Sequence, residues 1–305
     1  MYESTLAILL LNWNGYGETV ACVDSLLKNK TTFSFDIFIL DNGSRNDECG
    51  KLIEKYQGIS NVIIIPSLTN LGFTGGNNLL ITESRKRKNY EYYFLLNNDT
   101  EAPADFLESF IKRVNHRVGI FGPQVRYFEK PDLLQSIGGK VNLWTGICKR
   151  LGDKKLAGET SEKSIEHDAD YIFGCAFLVA SPVIDKVGLL REDYFIYYEE
   201  VDYCCEARKN GFSVRYLPVE SILHKDSVAT KRVSGFHIYT MFRNRIHFLK
   251  RNSSTFQFIF SFVYLGSYLG YFLLKYGLKE TSFLVRGTID GLLGKKGNPM
   301  NYRTF

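Results

Sequence analysis

Four short apolar runs, residues 6–12, 37–40, 62–65 and 92–96, alternate with stretches of helical character. Strands separated by helices of roughly ten residues or more imply βαβ units and a mostly parallel sheet, an α/β chain. The predicted helices cover residues 17–28, a polar stretch after the second strand, a segment opened by Gly75-Gly76-Asn77-Asn78, and a segment from Pro103 to about Asn115. Right-handed crossovers then bring every strand's C-terminal end to one rim, where open α/β sheets bind ligands. The four ends are Asn12, Asp41, Asn70 and Asn97-Asn98-Asp99. Asn, Asp and Gly are also ordinary turn residues, so each end taken singly is unremarkable as a connection. Four on one rim make a polar site.

The alternation fails from residue 127 to 168, a Gly- and Lys-rich stretch that reads as irregular segments or short hairpins. Residues 171–180 are apolar, interrupted by Gly174; 199–210 read as a helix stopped by Gly211, and 212–217 as a strand before Pro218. Residues 253–274 carry no charge and are long enough to span a bilayer. Gln257, Ser261, Gly266, Ser267, Gly270 and three tyrosines dilute them. Lys250, Arg251, Lys275 and Lys279 flank the segment, and Lys225, Lys231, Arg232, Arg243 and Arg245 lead up to it. Interfacial helices on an anionic membrane surface are the first expectation, a buried or homodimer helix the second, a true span the third.

At 305 residues, 45% hydrophobic and 23% charged, the chain has ample core for one large domain or two small ones. A net charge of +5 favours anionic partners without naming them; nucleic acid is not expected among them. Six cysteines form no C-x-x-C pair, and the N-terminus enters a strand directly; both point to the cytosol or the cytosolic face of a membrane.

Three stretches carry chemistry. In Leu95-Leu96-Asn97-Asn98-Asp99-Thr100 a buried strand ends on one carboxylate, which can hold a hard divalent cation that in turn holds a diphosphate. The plain alternative is a polar turn before the next helix. In Tyr197-Tyr198-Glu199-Glu200-Val201-Asp202-Tyr203 three acids open a helix. The helix dipole favours such acids by about 0.3–1 kcal/mol each, which accounts for one or two of them. Aromatic neighbours also desolvate a carboxylate, raise its pKa toward that of a general base, and offer a wall to a sugar ring. The turn Asn70-Leu71-Gly72-Phe73-Thr74-Gly75-Gly76-Asn77-Asn78 enters a helix and can present N–H groups to phosphate; it is neither a P-loop nor a full G-x-G-x-x-G, and a plain connecting turn accounts better for the glycines alone. His224 is a lone histidine whose weight depends on whether the fold brings it to Asp99; imidazole suits Mn²⁺ better than Mg²⁺.

Together, in this order and spacing, these motifs resemble the GT-A inverting glycosyltransferases of family 2, nearest the bacterial rhamnosyltransferase-like branch, over residues 6–251. Arg243-Asn244 belongs to the same pattern. The resemblance implies a Rossmann-like mixed sheet with flanking helices in a catalytic domain of residues 1–250, and a helical, membrane-associating extension of residues 251–305. It implies donor contacts from Asn12, Asn14, Asp41, Asn70, Gly72, Phe73, Asn77 and Asn98. Asn97 replaces the first acid of the family's D-x-D, so Asp99, with His224, would be the protein's ligands to Mg²⁺ or Mn²⁺. Glu200 stands at the position of the catalytic base, with Tyr198, Glu199 and Asp202 on the acceptor side. The donor implied is dTDP-L-rhamnose or a UDP-hexose, and the acceptor a glycan or lipid-linked glycan. Two rivals share parts of this pattern. A nucleotidyltransferase would carry a glycine- and basic-rich loop where this chain has Asn12-Trp13-Asn14-Gly15, and a non-catalytic sugar-nucleotide-binding protein would not need Glu200.

Overall fold

The computed structural model describes residues 5–225 and 235–302; Lys231 and Arg232 lie outside them. The four apolar runs are β1 (Thr5–Asn12), β2 (Ser34–Asn42), β3 (Val62–Ser67) and β4 (Tyr92–Asn97), joined by α1 (Tyr16–Leu27), α2 (Glu48–Lys55) and α3 (Gly72–Arg87). They lie in the order β3-β2-β1-β4, all parallel. Ala7, Ile8, Leu9, Leu10, Ile37, Ile39 and Leu40 are fully buried, as unbroken apolar strands must be when helices cover both faces. The register sets Asn12 beside Asp41 and Leu11 beside Asn97. The polar ends do share a rim.

Beyond β4 the sheet is mixed. β12 (Ala176–Ala180) runs antiparallel to β4 and to β6 (Gly119–Gly122); β13 (Ser213–Tyr216) is parallel to β6, and β11 (His167–Asp168) closes the edge antiparallel. Helices α4 (Phe106–Val114), α5 (Ser181–Val187) and α6 (Glu199–Lys209) complete the layers. A smaller sheet, β5 (Thr100–Glu101), β14 (Ile222–His224), β7 (Val125–Tyr127) and β8 (Leu134–Ser136), stands at the C-terminal rim. The stretch expected to be irregular holds β7, β8, the hairpin β9 (Gly139–Asn142) and β10 (Ile147–Arg150), and two short 3-10 turns.

Two long helices follow: α7 (Gly235–Asn252) and α8 (Thr255–Leu292), the latter opened by a Ser254–Gln257 capping box and kinked at Gly277 (φ 86°). Phe248 and Leu249 of α7 join the main core, so the boundary expected at residue 250 falls inside a helix. Ile238, Phe272 and Leu284 form a small core of their own between α7 and α8. Several of the basic residues leading to this region are engaged by the protein's own groups. Arg243 is fully buried, Arg245 donates to Thr145 O, Lys250 donates to the carbonyls of Gly291 and Leu292, and Arg251 pairs with Asp202. All six cysteines are free thiols.

Candidate active site

The first two strand ends are stitched together by side chains. Asn12, fully buried, directs its amide N–H groups at Asp41 Oδ1 (2.9 Å), Glu48 Oε2 (3.0 Å) and Ser44 Oγ (3.1 Å), and accepts from Thr19 Oγ1 at 2.7 Å. Asn14 takes a left-handed conformation (φ 53°), in which its N–H meets Ser44 Oγ and its Oδ1 accepts from Arg45 N. Asn98 donates to Thr19 Oγ1 at 2.8 Å. Asn12 is therefore a hub that fixes Asp41 rather than a group open to a ligand. Asp41 keeps only a small accessible surface.

The glycine-rich turn differs from expectation. Helix α3 starts at Gly72, not Gly75. Gly72 sits at φ +74°, and a Cβ there would lie 2.5 Å from the Phe195 carbonyl oxygen. That carbonyl accepts from Phe73 N (2.8 Å) and Thr74 N (3.2 Å), while Leu71 N donates to Asn42 Oδ1 and Gly72 N to Asn70 Oδ1. All four N–H groups are thus bound within the protein, which corrects the idea that the turn offers them to phosphate. Asn77 is 1% exposed and donates to Phe73 O, so it is also turned inward.

At the fourth end the fold joins two residues 125 positions apart. β14 pairs with β5 so that His224 lies opposite Thr100, next to Asp99. His224 Nε2 lies 3.1 Å from Asp99 Oδ1 and 3.3 Å from Asn97 Nδ2; its Nδ1 lies 2.8 Å from Gln135 Oε1. The ring is thus held from both sides, Nδ1 by the Gln135 side chain and Nε2 by the Asp99 carboxylate and the Asn97 amide. The arrangement fits a metal: a histidine ligand whose other nitrogen is anchored, and two donors spaced like neighbouring ligands about 2.1 Å from an octahedral cation. Among the described residues no third His, Cys, Asp or Glu joins the pair, so further ligands would come from substrate and water.

The acid-rich helix start is linked to this pair through Phe173-Gly174. Glu200 packs against Gly174, and the neighbouring Phe173 ring stands edge-on to the His224 ring, centroids 5.9 Å apart. Glu199 Oε2 and Glu200 Oε2 are both buried without a hydrogen-bond partner. Burial pushes the Glu200 carboxyl up to about 7, against the pull of helix N–H groups and Arg150. Burial, then the charge of Glu200, holds Glu199 well above the usual carboxylate range. Both carboxyls therefore hold their protons more tightly than exposed glutamates do.

The loop leading into α6 is strained. Phe195, Tyr197 and Tyr198 all have positive φ (66°, 72° and 74°), at about 1–2 kcal/mol each for non-glycine residues. Asn244 holds it, donating to the carbonyls of Tyr194 (3.0 Å), Ile196 (2.8 Å) and Tyr197 (2.8 Å), and Arg243 donates to Tyr194 O as well. Tyr198 is buried and donates to Gly146 O, in the turn of the β9–β10 hairpin, at 2.7 Å. Asp202 is engaged by Arg251 and Asn252, tying α6 to the end of α7 instead of facing the acceptor side.

Sequence reasoning missed three contributors. Glu48 anchors Asn12 and Gly15 N, but in the sequence it is only an acid in a helix's first turn. Asn244 was part of a motif without a role. Arg150 places its guanidinium 4.7 Å above the Phe173 ring, in a stretch whose lack of periodicity hid it.

Residues 8–165, just over half of the chain, match the family model described as glycosyl transferase family 2. The low-salt glycan biosynthesis hexosyltransferase Agl10 of Haloferax volcanii is 27% identical over 222 residues, covering 72% of this chain and 67% of that protein. The N-acetylglucosaminyl-diphospho-decaprenol L-rhamnosyltransferase of Mycobacterium tuberculosis is 22% identical over 238 residues, 70% of this chain and 74% of that one. Among solved structures, GalNAc-T7 with UDP, GalNAc and Mn²⁺ superposes with a TM-score of 0.65 at 13% identity. That match covers 82% of this chain, which spans only 48% of that protein's length, and it carries the fold alone. The expected GT-A architecture, a mixed α/β sheet with a helical C-terminal region, is the one observed. With its family model spanning half its length and hexosyl- and rhamnosyltransferase relatives, the chain belongs to glycosyl transferase family 2 and is a glycosyltransferase.

Proposed function

We propose that the chain transfers a sugar from a nucleotide-diphosphate donor to an acceptor hydroxyl with inversion, using Glu200 as the base. The observation that carries this reading is the desolvated Glu200 carboxyl, its Oε2 buried without a partner beside Gly174, next to the Phe173 that meets the His224 ring. Glu200 takes the acceptor proton as the hydroxyl oxygen attacks the anomeric carbon, and the bond to the diphosphate breaks on the opposite face. Asp41 and Asn98, fixed by Asn12 and Thr19, line the donor's end of the rim with Asn14; Asn70 and Gly72 shape that end from behind. Asp99 and His224 would hold a divalent cation, Mn²⁺ or Mg²⁺, which when bound supplies positive charge to the departing diphosphate.

The relative named as an N-acetylglucosaminyl-diphospho-decaprenol L-rhamnosyltransferase favours an L-rhamnose donor and a lipid-linked glycan acceptor; we take the donor as dTDP-L-rhamnose, with a UDP-hexose as the alternative, and the product as a bacterial surface polysaccharide such as O-antigen. In this reading residues 1–250 are catalytic and 251–305 rest on the cytosolic face of the membrane. Nucleotide release from a panel of dTDP- and UDP-sugars, with Mn²⁺, Mg²⁺ or EDTA, tests it. Glu200→Gln should lower turnover on the order of 10²–10⁴-fold, and Asp99→Ala should raise the metal requirement. Unchanged turnover in Glu200→Gln removes the base; indifference to EDTA and to Asp99→Ala removes the metal.

A further inference from the structure

The β9–β10 hairpin reaches from the active site to the exposed face of α8. At its base, Arg150 lies over Phe173, the ring that also meets His224, and with Cys148, Lys149, Asp153 and Lys155 it lines a cavity of about 390 Å³. The one carboxylate there is already partnered: Asp153 Oδ1 accepts from Tyr127 Oη at 2.6 Å and pairs with Arg150 at 3.2 Å. Lys149 and Lys155 are exposed, so the cavity carries a net positive charge. At the hairpin's tip, Trp144 meets Phe256 and Phe260 edge-on, centroids 5.6 and 5.4 Å away. Ile147 beside it, and Ile259 and Val263 beyond, are exposed apolar side chains. Three residues of strand separate Ile147 from Arg150, roughly 10 Å.

We infer that this hairpin docks the acceptor, and that the acceptor is a phosphorylated lipid: its phosphate or diphosphate seats against Arg150, Lys149 and Lys155, and its hydrocarbon leaves along Trp144, Ile147 and the outer face of α8. A cationic cavity at one end and an apolar ridge at the other match an amphiphile with an anionic head. A neutral glycan would use neither. The seat also delivers the sugar attached to that phosphate beside Glu200. The inference rests on the transferase reading above, and adds the acceptor's chemistry and its binding residues.

The test is flotation of the full chain with three sets of vesicles: phosphatidylcholine alone, with a long-chain polyprenyl phosphate, and with phosphatidylglycerol at the same mole fraction. Polyprenyl phosphate should be preferred over phosphatidylglycerol by about 5–10-fold, the effect of a few well-placed cations near a membrane surface. The Arg150→Ala/Lys155→Ala double variant should lose that preference, and Arg150→Lys should keep most of it. Trp144→Ser should weaken binding to all vesicles and leave the ratio intact. No preference in the wild type, or a preference that survives the double variant, overturns the site. So does inorganic diphosphate binding as tightly as the lipid, since the tail would then contribute nothing. The assay needs no donor and no turnover. A chain that releases no nucleotide in the transferase assay yet keeps the lipid preference refutes the proposed reaction and leaves this site standing.

Discussion

Two adjacent carboxyls on the first turn of α6 share one partly dry environment, and the second charge costs more than the first. Burial holds the Glu199 carboxyl well above the usual carboxylate range and pushes Glu200 up to about 7. Transfer should therefore rise with pH through about 7 and level off above it, and a Glu199→Gln variant should keep that limb. Stability follows the opposite slope. Both folded-state pKa values lie above those of an unfolded glutamate, so the fold binds more protons than the unfolded chain. Stability from this pair is fully present below about pH 4.3 and is lost as pH rises through the folded values. Replacing Glu199 by Gln should thus raise the melting temperature at about pH 8 and change it little at about pH 5. Thermal melts at the two pH values check it; equal shifts at both would mean that Glu199 does not titrate as argued.

The strained loop and the helix it feeds behave as one element. Asn244 donates to three carbonyls of residues 194–197, and the Phe195 carbonyl in turn receives the first N–H groups of α3. A single loop therefore positions both the base and the donor-side turn. Asn244→Asp keeps the shape but sets acceptors against carbonyl oxygens, so it should be worse than Asn244→Ala, which costs about 1–3 kcal/mol for unsatisfied groups. As a positioning residue, Asn244 should affect kcat more than KM and shift the pH limb of Glu200; a loss of stability with both unchanged would leave it merely structural. The four parallel strands and the helices between them were legible because each announces itself within ten residues by periodicity and a polar stop. The Asn244 link was not, because nothing local to residue 244 records a loop 47 residues earlier. From its own neighbours His224 was legible only as a residue type, and the family resemblance alone tied it to Asp99. What seats it beside Asp99 is a two-residue strand, Thr100–Glu101, too short to carry any pattern.

At the scale of the whole molecule the open question is what the uncharged C-terminal stretch meets. Among the described residues α8 alone is long and apolar enough to cross a membrane, and only 11% of its most apolar window is buried. Its two arms do different things. The second arm is part of the protein's own packing: Gly287 and Gly291 let it approach the backbone of Tyr239 and Arg243, and Asp290 accepts from Tyr239 Oη at 2.7 Å. The first arm, residues 255–276, is roughly 33 Å long and presents Phe256, Ile259, Phe260, Val263, Tyr271 and Leu274 outward along one side. Its other side, with Leu265, Tyr268, Leu269 and Phe272, packs against α7, which leaves one apolar face to meet a membrane, as in a helix lying in the interface. Deleting the segment would strip α7 of its cover and confuse binding with folding. Substitution of the outer residues alone avoids this: Phe256→Ser, Ile259→Ser, Val263→Ser and Leu274→Ser together should abolish vesicle flotation while the melting temperature stays within a few degrees, as exposed positions allow. If the wild type does not float but sediments as a dimer that the same four substitutions dissociate, the stripe joins two copies of the chain and the membrane assignment falls.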